Sequence, residues 1–191
     1  MAHGPAITRV LAGISATAAI AGCGAVAHSS APSAAQLAAD LKGSPPRLAA
    51  LHRQANKLLG GGRGAFEARL HALRGVPVVV TQWSSNCEPC QIEFPYFQRL
   101  SAQLGRRVAF IGVDASDDST GGANGWLHRF PVSFPSYQDS GRAIALALSV
   151  PFADDTPVTY FFTRSGTEWF HVGNYTSEHN LRAEIRHYLG V

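Results

Sequence analysis

The chain has almost no lysine, few cysteines and no long apolar run, and each shortage removes a class of function. Lys42 and Lys57 are the only lysines among 16 Lys and Arg residues, the formal charge is +3, and the basic residues are scattered through 191 positions. Nucleic-acid recognition rests on a clustered basic footprint, so that partner class is excluded. Three cysteines are present, Cys23, Cys87 and Cys90. No second C-x-x-C and no H-x-x-x-H accompanies the pair at 87 and 90, so a four-ligand zinc site lacks donors. The apolar run over residues 10–22 is too short to span a bilayer as a permanent helix. Asp114, Ser116 and Asp118 imitate the start of a calcium loop, but Ser119 replaces its glycine and Gly125 its closing Glu. The glycines at 60–64 lack the Lys-Ser/Thr of a phosphate loop and read as a helix breaker. There is no internal repeat. The length suits one domain with leading and connecting segments, enough to bury a real core.

The first residues read as an export address. Arg9 and the free amine precede the small, uncharged run, so residues 1–22 are expected to be a signal peptide. Ile20-Ala21-Gly22-Cys23 resembles the lipobox of bacterial lipoproteins, in which the cysteine is acylated and becomes the new N-terminus. The competing reading is cleavage after Ala25-Val26-Ala27, which discards Cys23 and releases a soluble, secreted chain starting at His28. No Arg-Arg pair precedes the run, so the Sec route is the simpler one. Either way Cys23 leaves the count and one pair remains. A bridge across two residues closes too small a loop to staple a fold, so in an exported protein Cys87 and Cys90 read as a reactive dithiol.

Residues 23–46 are rich in Ala, Ser, Pro and Gly and are expected to be a flexible tether, with one helix-capable piece over 33–41. Leu48, Leu51, Ala55, Leu58 and Leu59 recur at helical spacing, and Phe66, Leu70 and Leu73 mark a second helix, so residues 47–74 form a helical extension. A buried strand over 78–82 leads into the C-x-x-C, and another follows over 108–113. Between them, Cys90, Glu93, Phe97, Leu100 and Leu104 share one helical face, which turns Glu93 inward. Further expectations are a short helix over 126–130, a strand over 132–137, an apolar helix over 142–148 and a loop over 153–157. A hairpin over 158–172 and a last helix over 177–189 complete the chain. His52, His71, His128, His179 and His187 sit on helices among polar neighbours and read as solvated.

The site is Thr81-Gln-Trp83-Ser-Ser-Asn86-Cys87-Glu88-Pro89-Cys90-Gln-Ile-Glu93. A strand ends, Pro89 opens a helix, and the free N–H groups and positive end of that helix meet one sulfur, where a thiolate is stabilised. Glu88 puts an exposed negative charge beside that thiolate and opposes it. Glu93 has two readings, a solvated acid in a helix's first turns or a buried acid near Cys90 with a raised pKa. Pro157 is either an ordinary loop proline or a cis one. Trp83 reads as part packing and part wall of the site.

From about residue 73 onward, this order of elements and the string Cys87-Glu-Pro-Cys-Gln-Ile-Glu-Phe-Pro95 resemble the membrane-tethered, extracytoplasmic branch of the thioredoxin superfamily typified by TlpA and ResA. The resemblance implies an α/β thioredoxin-like fold over residues 75–191: a central mixed sheet flanked by helices, with an insert between the second strand and the helix at Arg142. It also implies a thiol–disulfide oxidoreductase without metal or cofactor, in which Cys87 attacks, Cys90 resolves and Glu93 tunes Cys90. Thr156-Pro157 would be a cis peptide facing the pair. Trp83, Asn86, Glu88, Pro89, Thr156 and Pro157 would meet the substrate. The expected partners are proteins bearing disulfides or thiols, a membrane electron carrier, and the outer face of the cell membrane through lipid on Cys23. The expected role is reduction of exported proteins, as in cytochrome c maturation. The alternatives are oxidation of secreted thiols, a copper carrier using the dithiolate with His171, or an inert lipoprotein. Two residues depart from the family: Asn86 stands where an aromatic is common, and Thr81 where thioredoxin has a buried acid.

Overall fold

A computed structural model of the chain describes Met1 and residues 31–148 and 156–191. The expected leader, Cys23, the alternative cleavage site expected after Ala27 and loop residues 153–155 lie outside the described residues. Of the expected tether, the part from 31 onward carries helix α1 (Ala34–Asp40), capped by the Ser33 hydroxyl, which accepts the Gln36 N–H. A second helix, α2 (Pro46–His52), buries Leu48 and Leu51.

The helical spacing of 48–59 does not hold to its end. The helix stops at His52, and Leu58 and Leu59 form a short strand, β1 (Leu58–Leu59). Long-range hydrogen bonds override the local pattern. Asn56 adopts a left-handed conformation (φ 57°), its N–H donates to Phe134 O at 2.9 Å, and its Oδ1 accepts the Val132 N–H at 3.0 Å. His52 is not solvated either, for its ring nitrogen Nε2 lies 3.0 Å from Gly105 O.

Helix α3 (Gly62–Ala72) places Phe66 in the core and leads to β2 (Val78–Trp83), buried along its whole length. Helix α4 (Glu88–Leu104) and strand β3 (Ala109–Asp114) follow, with β3 parallel to β2. Helix α5 (Thr120–Arg129) begins earlier than its apolar end announces, because glycines at 121, 122 and 125 obscure the pattern. Strand β4 (Ser136–Gln138) is shorter than expected. Pro135 has no N–H for a ladder, so pairing starts one residue later. Helix α6 (Ala143–Ala147), the hairpin β5 (Val158–Phe162) and β6 (Glu168–Val172), and helix α7 (Glu178–Leu189) complete the chain.

The strands form one mixed sheet in the order β1-β4-β3-β2-β5-β6, with β5 and β6 antiparallel to their neighbours. The segment before β2 is therefore helical but also supplies the sheet's edge strand through β1. Strand alternation sorts the core onto two faces. Val79, Trp83, Phe110 and Phe161 pack with Phe94, Phe97 and Leu100 of α4 and Leu181 and Ile185 of α7. Val78, Val80, Ile111, Val113 and Tyr160 pack with Leu48, Leu51, Phe66 and Ile144. No helix among the described residues is long and apolar enough to cross a membrane.

Candidate active site

Strand β2 ends at Trp83 and the chain turns through Ser84, Ser85 and Asn86 into Cys87, the N-cap of α4. Pro89 sits in the first turn of the helix, where a missing N–H costs nothing. Cys87 and Cys90 are joined by a disulfide, with their Cα atoms 5.3 Å apart. The Cys90 N–H donates to Cys87 Sγ at 3.1 Å. That bond and the positive end of a 17-residue helix both favour negative charge on Cys87. Cys87 is the more accessible residue of the two, 6% exposed against 0% for Cys90, and Asn86 and Glu88 beside it are exposed.

Glu93 lies on the inward face of α4, one turn beyond Cys90, and is fully buried. Its Oε2 accepts the Tyr175 N–H at 3.1 Å, while Oε1 has no partner among the described residues. Burial pushes the carboxyl up to about 8, against the lowering pull of that N–H. Of its two readings, the solvated one is excluded. Thr81 is also buried and faces α4, since it alternates with Val79 and Trp83.

Trp83 shares one packed cluster with Cys87 and Cys90, so the packing part of its expected role is what the structure shows. It is 0% exposed, set edge-on to Phe94 and stacked on Trp126, both with centroids 5.6 Å away. Its Nε1–H donates to Ser136 Oγ at 3.3 Å. Gly112 on β3 makes room for this arrangement, because a Cβ there would lie 2.8 Å from Trp83 Nε1. The expected contact between Trp83 and substrate is thus replaced by core packing. The Thr156-Pro157 peptide is cis. Val158 pairs with Gln82, so Pro157 lies level with the end of β2 from which the C-x-x-C loop departs.

Two groups of residues at the site carried no usable sequence signal. Asp117 accepts hydrogen bonds from the Ser85 N–H at 3.1 Å and the Ser85 hydroxyl at 2.7 Å, tying the C-x-x-C loop to the segment after β3. Asp114 lies beneath it, accepting the Asp117 N–H at 3.4 Å, and burial followed by the Asp117 charge pushes it up to about 8. In sequence, Asp114 and its neighbours read only as a failed calcium loop. The second group is Tyr175, Glu184 and His171, which meet only in three dimensions. His171, the ligand of the copper alternative, has its Nδ1 3.0 Å from Glu184 Oε1.

Comparison with known proteins agrees with this geometry. The Redoxin family model matches residues 63–166, more than half of the chain. Among solved structures, a putative thiol:disulfide interchange protein DsbE from Chlorobium tepidum is similar at 25% identity and a TM-score of 0.57, covering 63% of this chain and 85% of that one. A secreted Mycobacterium tuberculosis disulfide oxidoreductase, homologous to E. coli DsbE, shares the fold at 22% identity and a TM-score of 0.55, covering 61% and 85%. No curated protein matches. A strand, a cysteine-capped helix and a cis proline on a mixed sheet, together with the family match, place the chain in the Redoxin family, as a thiol–disulfide oxidoreductase of thioredoxin-like fold.

Proposed function

We propose that the protein is an extracytoplasmic thiol–disulfide oxidoreductase of the TlpA and ResA kind, anchored by lipid on Cys23, that reduces disulfides in exported proteins such as apocytochrome c. The observation that carries the reading is the asymmetry of the pair: Cys87 caps a helix and accepts an N–H, whereas Cys90 is wholly buried one turn from a buried acid. The Cys87 thiolate attacks one sulfur of a substrate disulfide, and the other sulfur leaves as a thiolate. Cys90 then gives its proton to Glu93 and attacks Cys87 Sγ, expelling the second substrate sulfur. The substrate gains two electrons and the enzyme is left as the Cys87 to Cys90 disulfide, which a membrane electron carrier restores to the dithiol. Exposed Asn86 and Glu88, half-buried Pro89 and the Thr156-Pro157 peptide form the docking rim, and Glu88 favours the reducing direction by opposing the thiolate. The leader and lipobox support the location, as does the secreted Mycobacterium tuberculosis neighbour.

Cys90→Ser should trap mixed disulfides with exported proteins, and Cys87→Ser should trap none. A titration against glutathione should give a potential well below that of the extracytoplasmic oxidants. A value in their range would overturn the reducing direction, and absence of any trapped partner would overturn the activity. For the anchor, an intact mass showing a free chain from His28 refutes lipidation.

A further inference from the structure

Glu93 takes its hydrogen bond from the backbone of a turn that has no regular structure of its own. Tyr175 lies between β6 and α7, and its N–H is what meets Glu93 Oε2. The turn is held through its side chain. The Tyr175 ring, 2% exposed, stacks on His171 with centroids 4.4 Å apart. Its hydroxyl donates to Glu184 Oε2 at 2.6 Å, and Glu184 Oε1 lies 3.0 Å from His171 Nδ1. His171 on β6, Glu184 on α7 and Tyr175 between them form a closed triangle, with His171 and Glu184 reaching the surface at 31% and 29% side-chain exposure.

We propose that this His171, Glu184 and Tyr175 clamp is a positioning device for the thiol chemistry: it fixes the turn so that the Tyr175 N–H is aimed at the Glu93 carboxyl. The proposal rests on the reading of Glu93 as the acid that serves Cys90. The groups facing Glu93 are Cys90 on its own helix, Tyr175 from the turn, and, beyond the phenol, Glu184 from α7 and His171 from β6. An N–H held against a carboxylate favours the ionised form and so limits how far burial can raise the group. With the clamp broken, the turn loosens, the bond weakens, and the carboxyl keeps its proton to higher pH. The phenol stays neutral throughout, held above its usual value by burial, then by Glu184 and Glu93.

The test follows the Glu93 carboxyl in the full-length oxidised protein by infrared or carbon NMR titration, its signal identified by loss in Glu93→Gln. Glu184→Ala removes a side chain that is 29% exposed, and its far-UV circular dichroism is compared with the parent's. It should move the midpoint upward by about one pH unit, the worth of one charge-assisted hydrogen bond largely lost. Tyr175→Phe should do the same. Glu184→Gln keeps an acceptor for the phenol and an amide for His171, and should return the midpoint to the native value or slightly below it. Loss of the Glu184 charge alone lowers the Glu93 midpoint, so an upward shift reports position and not charge. A midpoint that is unchanged or falls in Glu184→Ala overturns the clamp. If Glu93→Gln leaves the pH profile of Cys90's attack unaltered, the role of Glu93 itself falls, and the clamp's link to the chemistry with it.

Discussion

A buried carboxyl that holds its proton to about pH 8 can take a proton from a thiol and return it near neutral pH, and Glu93 meets that condition. In the proposed reaction its service is confined to Cys90, since Cys87 has the helix end and an N–H of its own. Glu93→Gln should therefore slow resolution of a mixed disulfide by about a hundredfold, the low end for general-base assistance, and remove the rise of that step through about pH 8. The initial attack by Cys87 should change little. Stopped-flow mixing of the reduced variant with a model disulfide separates the steps, and equal slowing of both counts against the assignment. Glu93 was readable from the sequence because it shares a helical face with Cys90, Phe97 and Leu100. Thr81 reinforces it, since the strand position that bears an acid in thioredoxin carries only a buried hydroxyl here. Alternation along β2 gave the face of Trp83 but not what covers it, which is Phe94 and Trp126.

Helix α5 approaches the C-x-x-C loop closely at Gly122. A Cβ at Gly122 would lie 2.7 Å from Ser85 Oγ, and Asp117 holds that hydroxyl in place, so the side chain cannot simply swing aside. Gly125 on the same helix has open space. Gly125→Ala should thus stabilise the protein by about 1 kcal/mol, the full helix-propensity difference. Gly122→Ala should gain little or nothing and should slow thiol exchange by displacing Ser85. Thermal unfolding of the two variants, with exchange kinetics alongside, checks the pair. Equal stabilisation with unchanged kinetics would show that α5 does not bear on the loop. Elements with strong periodicity, such as α4 and α7, were legible in the sequence. The early start of α5 was hidden by glycines, and β1 by leucines whose spacing is helical but whose strand partners lie in β4.

Across the whole molecule, the two acids whose protons burial holds, Glu93 and Asp114, give stability a definite pH dependence. In the unfolded chain Glu93 and Asp114 ionise near their ordinary values of 4.5 and 3.8, whereas folded they keep their protons to about 8. Between those limits the native state binds more protons, so stability is greatest at the acid end and falls as pH rises toward 8. Urea unfolding of the oxidised protein should show midpoints declining from about pH 5 to 8, and Glu93→Gln with Asp114→Asn should flatten the decline. A midpoint that stays flat or rises over that range would mean that the folded protein ionises these groups. By itself the sequence determined the reactive pair, the helix that carries it, the inward turn of Glu93 and the thioredoxin-like order of elements, because each follows from short-range spacing or from a local motif. Only the tertiary structure decided the burial of Trp83, the strand at Leu58–Leu59, the hold of Asp117 on Ser85 and the meeting of Tyr175, Glu184 and His171 behind Glu93. Those contacts join residues far apart in the chain, and no local pattern encodes which distant partner a buried polar group will find.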